Sequence, residues 1–431
     1  MAGRFVFTPI FELLDKRYSG VCNYNSGFAP HSVIKYMKPL QQKLSAYDAP
    51  QRAMAAGIYP YFRPISSEQD TEVIMNGKKV LMFGSNSYMG LTNHPKVIEA
   101  AIEATKKYGT GLAGSPFLNG TLTIHKDLEA RLADYMGKED AMLYSTGFGV
   151  NLGVVSILTG REDYVILDEQ DHASIIEGRR LSYSTYLKYR HNDMASLETQ
   201  LKKCDPNKIK LIVTDGVFSM EGDLAKLPEI VELKHKYNCS LMVDEAHGLG
   251  VFGKQGRGVC DHFGLTDEVD LIMGTFSKSL ASIGGFIAGD ADTINFLRHS
   301  CRTYIFSASD TPAATAAALE ALHILQEEPS RLEHLWDVTN YALKRFKEEG
   351  FEIGDTESPI IPLYVRDIEK TFMVTKLAFD NGVFINPVIP PACAPQDTLV
   401  RFALMASHTQ EQVERGVQIL KKAFKELEII K

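Results

Sequence analysis

Asp270-Leu271-Ile272-Met273-Gly274-Thr275-Phe276-Ser277-Lys278-Ser279-Leu280-Ala281-Ser282-Ile283-Gly284-Gly285-Phe286-Ile287-Ala288-Gly289 is the stretch that decides how this chain folds. The apolar run Leu271 to Met273 has the length and composition of a buried strand. It breaks at Gly274, and small hydroxyl residues then surround one lysine, Lys278. A lysine just past a buried strand, with Thr275 and Ser277 beside it, suits covalent chemistry. Partial desolvation lets its amine shed a proton, and nearby hydroxyls can hold an anion. Gly284 and Gly285 would let backbone approach a bound ring closely. Taken alone, the stretch is read equally well as a surface lysine in a serine-rich turn.

A second stretch upstream tips that balance. In Leu241-Met242-Val243-Asp244-Glu245-Ala246-His247-Gly248-Leu249-Gly250, an apolar strand ends in Asp244, and His247 follows three residues later. Acids at the carboxyl ends of buried strands sit where open α/β sheets bind their ligands. Pyridoxal 5'-phosphate needs such an acid to keep its pyridine nitrogen protonated, and a lysine for its Schiff base. An N-cap aspartate with a structural histidine would explain Asp244 by itself. A lysine at the end of the next strand favours the cofactor.

The rest of the chain keeps the same rhythm. Strands are expected near Tyr164 to Leu167, Lys210 to Thr214, Ser240 to Asp244 and Leu271 to Gly274, with a helix near Leu227 to Tyr237. This alternation predicts an α/β fold with a mainly parallel sheet covered on both faces. Before it, Asn76-Gly77 between apolar residues predicts a hairpin, and Pro95 starts a helix running through Lys107. Residues 109 to 120 are glycine-rich without helical period, and a helix resumes from Lys126 to Met136. Tyr144-Ser145-Thr146-Gly147-Phe148 turns into a helix whose amides could hold a phosphate. From Pro312 come two helices, to about Gln326 and from Arg331 to Glu349. Short strands at Ile360 to Val365, Val383 to Asn386 and Leu399 to Phe402 follow, then a closing helix from Gln410 to Leu427. The expected division is an N-terminal arm over 1–63, a large domain over 64–310 and a smaller α/β domain over 311–431.

Composition is that of an ordinary globular protein, with 45% hydrophobic and 23% charged residues in 431. A net charge of −8 and a pI near 5.9 argue against nucleic acid as a partner. The arm differs: eight basic residues (Arg4, Lys16, Arg17, Lys35, Lys38, Lys43, Arg52, Arg63) face three acids (Glu12, Asp15, Asp48), a net +5. A solvated arm against a partner subunit is the favoured explanation; a surface for an acidic acyl carrier or anionic lipid is the alternative. Six scattered cysteines show no metal-binding spacing, so free thiols in a reducing cytoplasm are expected and no metal. No membrane-spanning run or signal peptide is apparent, which leaves a cytoplasmic protein with room for peripheral membrane contact.

Further candidates lie at strand ends. His172, in Asp171-His172-Ala173-Ser174, could lie flat on a pyridine ring, although a lone histidine is more often structural. Ser219, in Asp215-Gly216-Val217-Phe218-Ser219-Met220-Glu221-Gly222-Asp223, offers a hydroxyl. With Asn86 to Leu91, Gly147-Phe148, Val243 to Gly248 and Thr275 to Lys278, these motifs resemble the α-oxoamine synthases, fold-type I pyridoxal phosphate enzymes. The resemblance runs from about Leu40 to the end of the chain. Tyr59 to Arg63, Phe117 to Thr121 and Gly274 to Gly285 are most similar to the bacterial branch that joins L-serine to a long-chain acyl thioester.

That resemblance implies a role for each matching residue. Lys278 would carry the Schiff base and move the α-proton. Asp244 would pair with the pyridine nitrogen, His247 with the ring hydroxyl, and His172 would stack on the ring. Gly147, Phe148, Ser219 and Thr275 would hold the phosphate, and Ser307 would reach the cofactor of a partner subunit in a homodimer. Arg401, with Asn86 near it, would grip the amino-acid carboxylate, which suits a guanidinium fork. The implied reaction is decarboxylative condensation of serine with an acyl-CoA or carrier-bound acyl group to 3-ketosphinganine. Glycine, alanine or cysteate with another acyl donor is the alternative; an aminotransferase or a silent regulatory subunit stands further off. One departure is plain: the family's Gly-Ser-Arg reads Gly114-Ser115-Pro116 here, which loses a charge and a backbone donor.

Overall fold

The computed structural model describes residues 38–431. Most of the basic arm, and Cys22 with it, lies outside the described residues. Within the remainder, helix Ala49–Ala55 packs Ala49 and Ala53 against Phe372 and Ile389.

Strands β1 (Glu72–Met75) and β2 (Lys78–Met82) form the expected hairpin. Its corner needs left-handed backbone at both central residues, Asn76 at φ 50° and Gly77 at φ 75°, conformations that these two residue types tolerate. Seven strands then build the central sheet: β3 (Asp140–Tyr144), β4 (Tyr164–Asp168), β5 (Thr185–Tyr189), β6 (Lys210–Asp215), β7 (Ser240–Asp244), β8 (Leu271–Thr275) and β9 (Gly285–Gly289). Their order is β3-β9-β8-β7-β6-β4-β5, with β9 alone running antiparallel to its neighbours. Helices cover both faces, which is why β6 and β8 are buried along their whole length.

Register decides what gathers at the carboxyl edge. Asp215 pairs directly with Asp244 across β6 and β7, and Asp244 with Met273 across β7 and β8. Asp168, Asp215, Asp244 and Thr275 are the last residues of four neighbouring parallel strands. A one-residue slip would turn each of them to the opposite face.

The C-terminal strands are β10 (Ile360–Tyr364), β11 (Val383–Phe384), β12 (Asn386–Val388) and β13 (Leu399–Ala403). The single strand expected from Val383 to Asn386 is in fact two. β11 pairs in parallel with β2, while β12 pairs antiparallel with β13, so the chain passes from one sheet to another within five residues. Three strands of the central sheet, β3, β5 and β9, were not anticipated. β9 is too short and glycine-bounded to show a period, and edge strand β5 is only partly buried.

Gly285 is needed for close packing. A Cβ there would lie 2.8 Å from the Cα of Gly147 and 2.9 Å from the carbonyl of Gly274. Its smallness admits the first turn of helix Gly147–Ile157 against the sheet. Among the described residues, five cysteines are free, no carboxylate, histidine and cysteine cluster could hold a metal, and no helix is long and apolar enough to cross a membrane.

Candidate active site

Lys278 follows β8 by three residues and is half-buried. Desolvation pushes its amine down to about 8, against the opposing pull of Asp244 and Asp215 and with help from the Arg401 charge. Among the described residues, no carboxylate forms an ion pair with Lys278. A lysine with that pKa is partly neutral near physiological pH, as a nucleophilic amine must be.

Asp244 is buried at the end of β7. Its Oδ2 accepts from Asn151 Nδ2 at 2.6 Å and its Oδ1 from the Ala246 amide at 2.8 Å. Asn151 Nδ2 also donates to Ser174 Oγ at 2.9 Å, and Ser174 Oγ lies 2.7 Å from His172 Nδ1. His172 caps helix Ala173–Leu181, and its amide donates to Asp215 Oδ2 at 2.6 Å. The histidine ring remains exposed. Asp244, Lys278 and His172 are thus brought together, through an asparagine and a serine that sequence reasoning did not single out.

His247 is buried, within reach of the Lys278 charge. Desolvation and the charges of Lys278, Arg401 and His172 hold its imidazole well below the usual histidine range, so it is neutral. Its Nδ1 is 2.6 Å from the Tyr88 hydroxyl. Arg401, on β13, is 5% exposed. Its Nη2 donates to the Tyr88 oxygen at 3.1 Å and its Nε to the Ser219 carbonyl at 2.8 Å. Among the described residues, no carboxylate pairs with this guanidinium. A buried cation without a counter-anion is costly unless a ligand supplies one. Nearby in sequence to Tyr88, the buried Oδ1 of Asn86 has no hydrogen-bond partner.

Gly147 opens helix Gly147–Ile157, capped by Thr146 Oγ1 accepting from the Gly149 amide at 2.9 Å. A Cβ on Gly147 would meet Thr275 Oγ1 at 2.7 Å, so the helix start and the end of β8 touch. Thr275 Oγ1 is 3.0 Å from Ser277 Oγ. Helix amides and two hydroxyls in one place form a donor set that suits a phosphate. Phe148 is exposed beside it. Ser219 meets the site through its backbone carbonyl at Arg401, and Ser307 lines a small cavity with Tyr144, Ser145 and Pro116. Among the described residues, no hydrogen bond joins Ser219 or Ser307 to Gly147 or Thr275. The amine of Lys278, the acid of Asp244 and the helix-start donors fit pyridoxal 5'-phosphate.

Comparison with known proteins agrees with this arrangement. The model of the aminotransferase class I and II family matches residues 78–420. A serine palmitoyltransferase of Bacteroides ovatus is 72% identical over 391 residues, 91% of this chain and 99% of that protein. An 8-amino-7-oxononanoate synthase of Treponema denticola is 42% identical over 400 residues, 93% of this chain and 100% of that protein. A solved structure of SPT with a PLP internal aldimine superposes with a TM-score of 0.89 at 34% identity, covering 91% of this chain and 100% of that one. The chain therefore belongs to the aminotransferase class I and II family, within its fold-type I α-oxoamine synthases.

Proposed function

We propose that this protein is a pyridoxal phosphate-dependent acyltransferase that joins L-serine to a long-chain acyl thioester, releasing carbon dioxide and forming 3-ketosphinganine. The cofactor supplies, when bound, the electron sink for a carbanion at the amino acid's Cα. Lys278 would tether it and afterwards carry the α-proton, for which a pKa of about 8 is well matched. Asp244, its carboxylate oriented by Asn151, would pair with the pyridine nitrogen. His172 would stack on the ring, and His247 would meet the ring hydroxyl. Gly147, Phe148, Thr275 and Ser219 would hold the phosphate.

The amino-acid half of this reading is carried by Arg401: a buried guanidinium with no carboxylate partner among the described residues, in one network with the site. Asn86 would assist it by accepting, at the buried Oδ1 that now lacks a partner, from a donor group of the amino acid other than its carboxylate. Serine and a palmitoyl-length donor are favoured by the 72%-identical relative; glycine, alanine or cysteate with another acyl donor is the second reading, kept open by the 42%-identical relative of a different name. A homodimer belongs to the proposal. Exposed Phe117, Leu118 and Phe306 border the loops of Pro116 and Ser307, an apolar margin that a second copy would cover while Ser307 reaches its cofactor. So do a cytoplasmic location, peripheral membrane contact, and the division of the chain at residues 63 and 310.

The test is to supply the holoenzyme with palmitoyl-CoA and serine, glycine, alanine or cysteate singly, following carbon dioxide and the lipid product by mass spectrometry. 3-Ketosphinganine with serine is expected. Condensation with alanine but not serine would overturn the substrate, and a keto acid released without acyl donor would overturn the reaction.

A further inference from the structure

Tyr88 has no part in the chemistry so far, yet it joins the two halves of the basic side. Its ring is fully buried, and its oxygen has two partners, Arg401 Nη2 at 3.1 Å and His247 Nδ1 at 2.6 Å. A guanidinium can only donate, so the tyrosine oxygen accepts there. The one proton of the hydroxyl must then go to the remaining partner, which requires a lone pair on Nδ1. The reverse arrangement, Nδ1–H donating to the oxygen, would leave the buried hydroxyl proton with no acceptor. A neutral imidazole with its lone pair at Nδ1 carries its hydrogen at Nε2.

Backbone holds Tyr88 in place for this. Its amide donates to the Asn86 carbonyl at 2.8 Å, and its own carbonyl accepts from the Ala406 amide at 2.7 Å. The chain then turns at Gly90, at φ 62°, where a Cβ would strike Ser407 Oγ at 2.6 Å. The tyrosine is therefore pinned between the segment after β13, which carries Arg401, and the turn that carries His247.

We propose that Tyr88 is a positioning residue that locks His247 as its Nε2–H tautomer and ties it to Arg401. One hydrogen-bonded chain, Arg401 to Tyr88 to His247, then reads the amino-acid carboxylate at one end and the cofactor's ring oxygen at the other. Carboxylate capture draws on the same donors that orient the group facing the ring. This rests on the roles proposed above for Arg401 and His247.

The experiment uses holoenzyme with ¹⁵N-labelled histidine, the His247 signals being assigned by their loss in His247→Gln. Wild type is expected to show His247 as a single Nε2–H tautomer at neutral pH, and Tyr88→Phe a mixture of tautomers. In Tyr88→Phe, serine binding should weaken about tenfold or more, the loss expected for a hydrogen bond within a charged network, with palmitoyl-CoA binding unchanged. A double variant with Arg401→Lys should lose less than the sum of the two single losses. Nδ1–H in the wild type overturns the proposal without any variant having to fold. So does Tyr88→Phe with a pure Nε2–H tautomer and wild-type serine affinity. If wild type shows the tautomer but binds no serine, the substrate reading fails and the tautomer lock stands.

Discussion

The partly buried His191 and the buried His247 have opposite protonation states. His191 places Nδ1 3.0 Å from Asp168 Oδ1 and Nε2 2.9 Å from Asp223 Oδ2. Both partners are carboxylates, so both ring nitrogens donate and the ring is an imidazolium. Desolvation opposes that charge, but the two hydrogen-bonded acids outweigh it and raise the pKa to about 10. His247 is more deeply buried and has Lys278, Arg401 and His172 for neighbours, with no acid on either nitrogen, and it stays neutral. Burial pushes both the same way; the neighbours decide.

The difference follows from how each side is built. Parallel strands deliver Asp168, Asp215 and Asp244 to one edge, where burial pushes the carboxyls of Asp171 and Asp215 well above the usual range, helped by the charge of Asp215 on Asp171 and of Asp244 on Asp215. His191 neutralises the far end of that row, and through Asp223 it pins the loop whose Ser219 carbonyl orients Arg401. The other side is made by a turn that brings the neutral His247 and by C-terminal strand β13, which brings the Arg401 cation. Lys278 lies between the two, drawn up by the acids and down by desolvation and Arg401.

Removing the group shared by both sides should have the largest effect. Lys278→Ala is expected to reduce turnover to background while the protein still folds; borohydride trapping of the cofactor on another lysine, found by peptide mapping, would falsify the assignment. Next comes Arg401→Ala on the basic side. Loss of one partner of a buried charged pair costs about 3–5 kcal/mol, so serine binding should weaken by at least a hundredfold while the lysine-bound cofactor spectrum is kept. An unchanged serine titration would remove Arg401 from the site.

On the acidic side, His191→Gln should destabilise the fold by about 2–4 kcal/mol at neutral pH, since it strands two carboxylates. The sign with pH is fixed by a folded pKa raised from 6.5 to about 10. The stabilisation is complete below 6.5 and disappears as pH rises through about 10, so variant and wild type should converge in denaturant titrations at high pH. A gap that stays constant across that range would mean that His191 is neutral. The smallest effect is expected at Pro116→Arg, which adds a charge near the Ser307 cavity. Activity on acyl-CoA should fall a few-fold, because the flanking loop is kept around the proline. Higher rates on both acyl-CoA and carrier-bound donors would show that the arginine is simply missed.

Pattern alone settled much of this molecule. Buried strands ending in Asp244 and Thr275 announce themselves by apolar runs that stop at a polar residue, and the Asn76-Gly77 hairpin by its turn chemistry. These are local properties, set by neighbours within a few residues. Asn151, Tyr88 and His191 carried no such signal. Asn151 meets Asp244 across 93 residues, Tyr88 meets His247 across 159, and Arg401 meets Tyr88 across 313. A tyrosine in a polar loop or an asparagine in an apolar helix is unremarkable until the sheet register brings its partner within 3 Å. Which residues could do chemistry was therefore written in the chain. Their charge, tautomer and partners were decided only by tertiary structure, because hydrogen bonds and desolvation depend on distances that the fold alone sets.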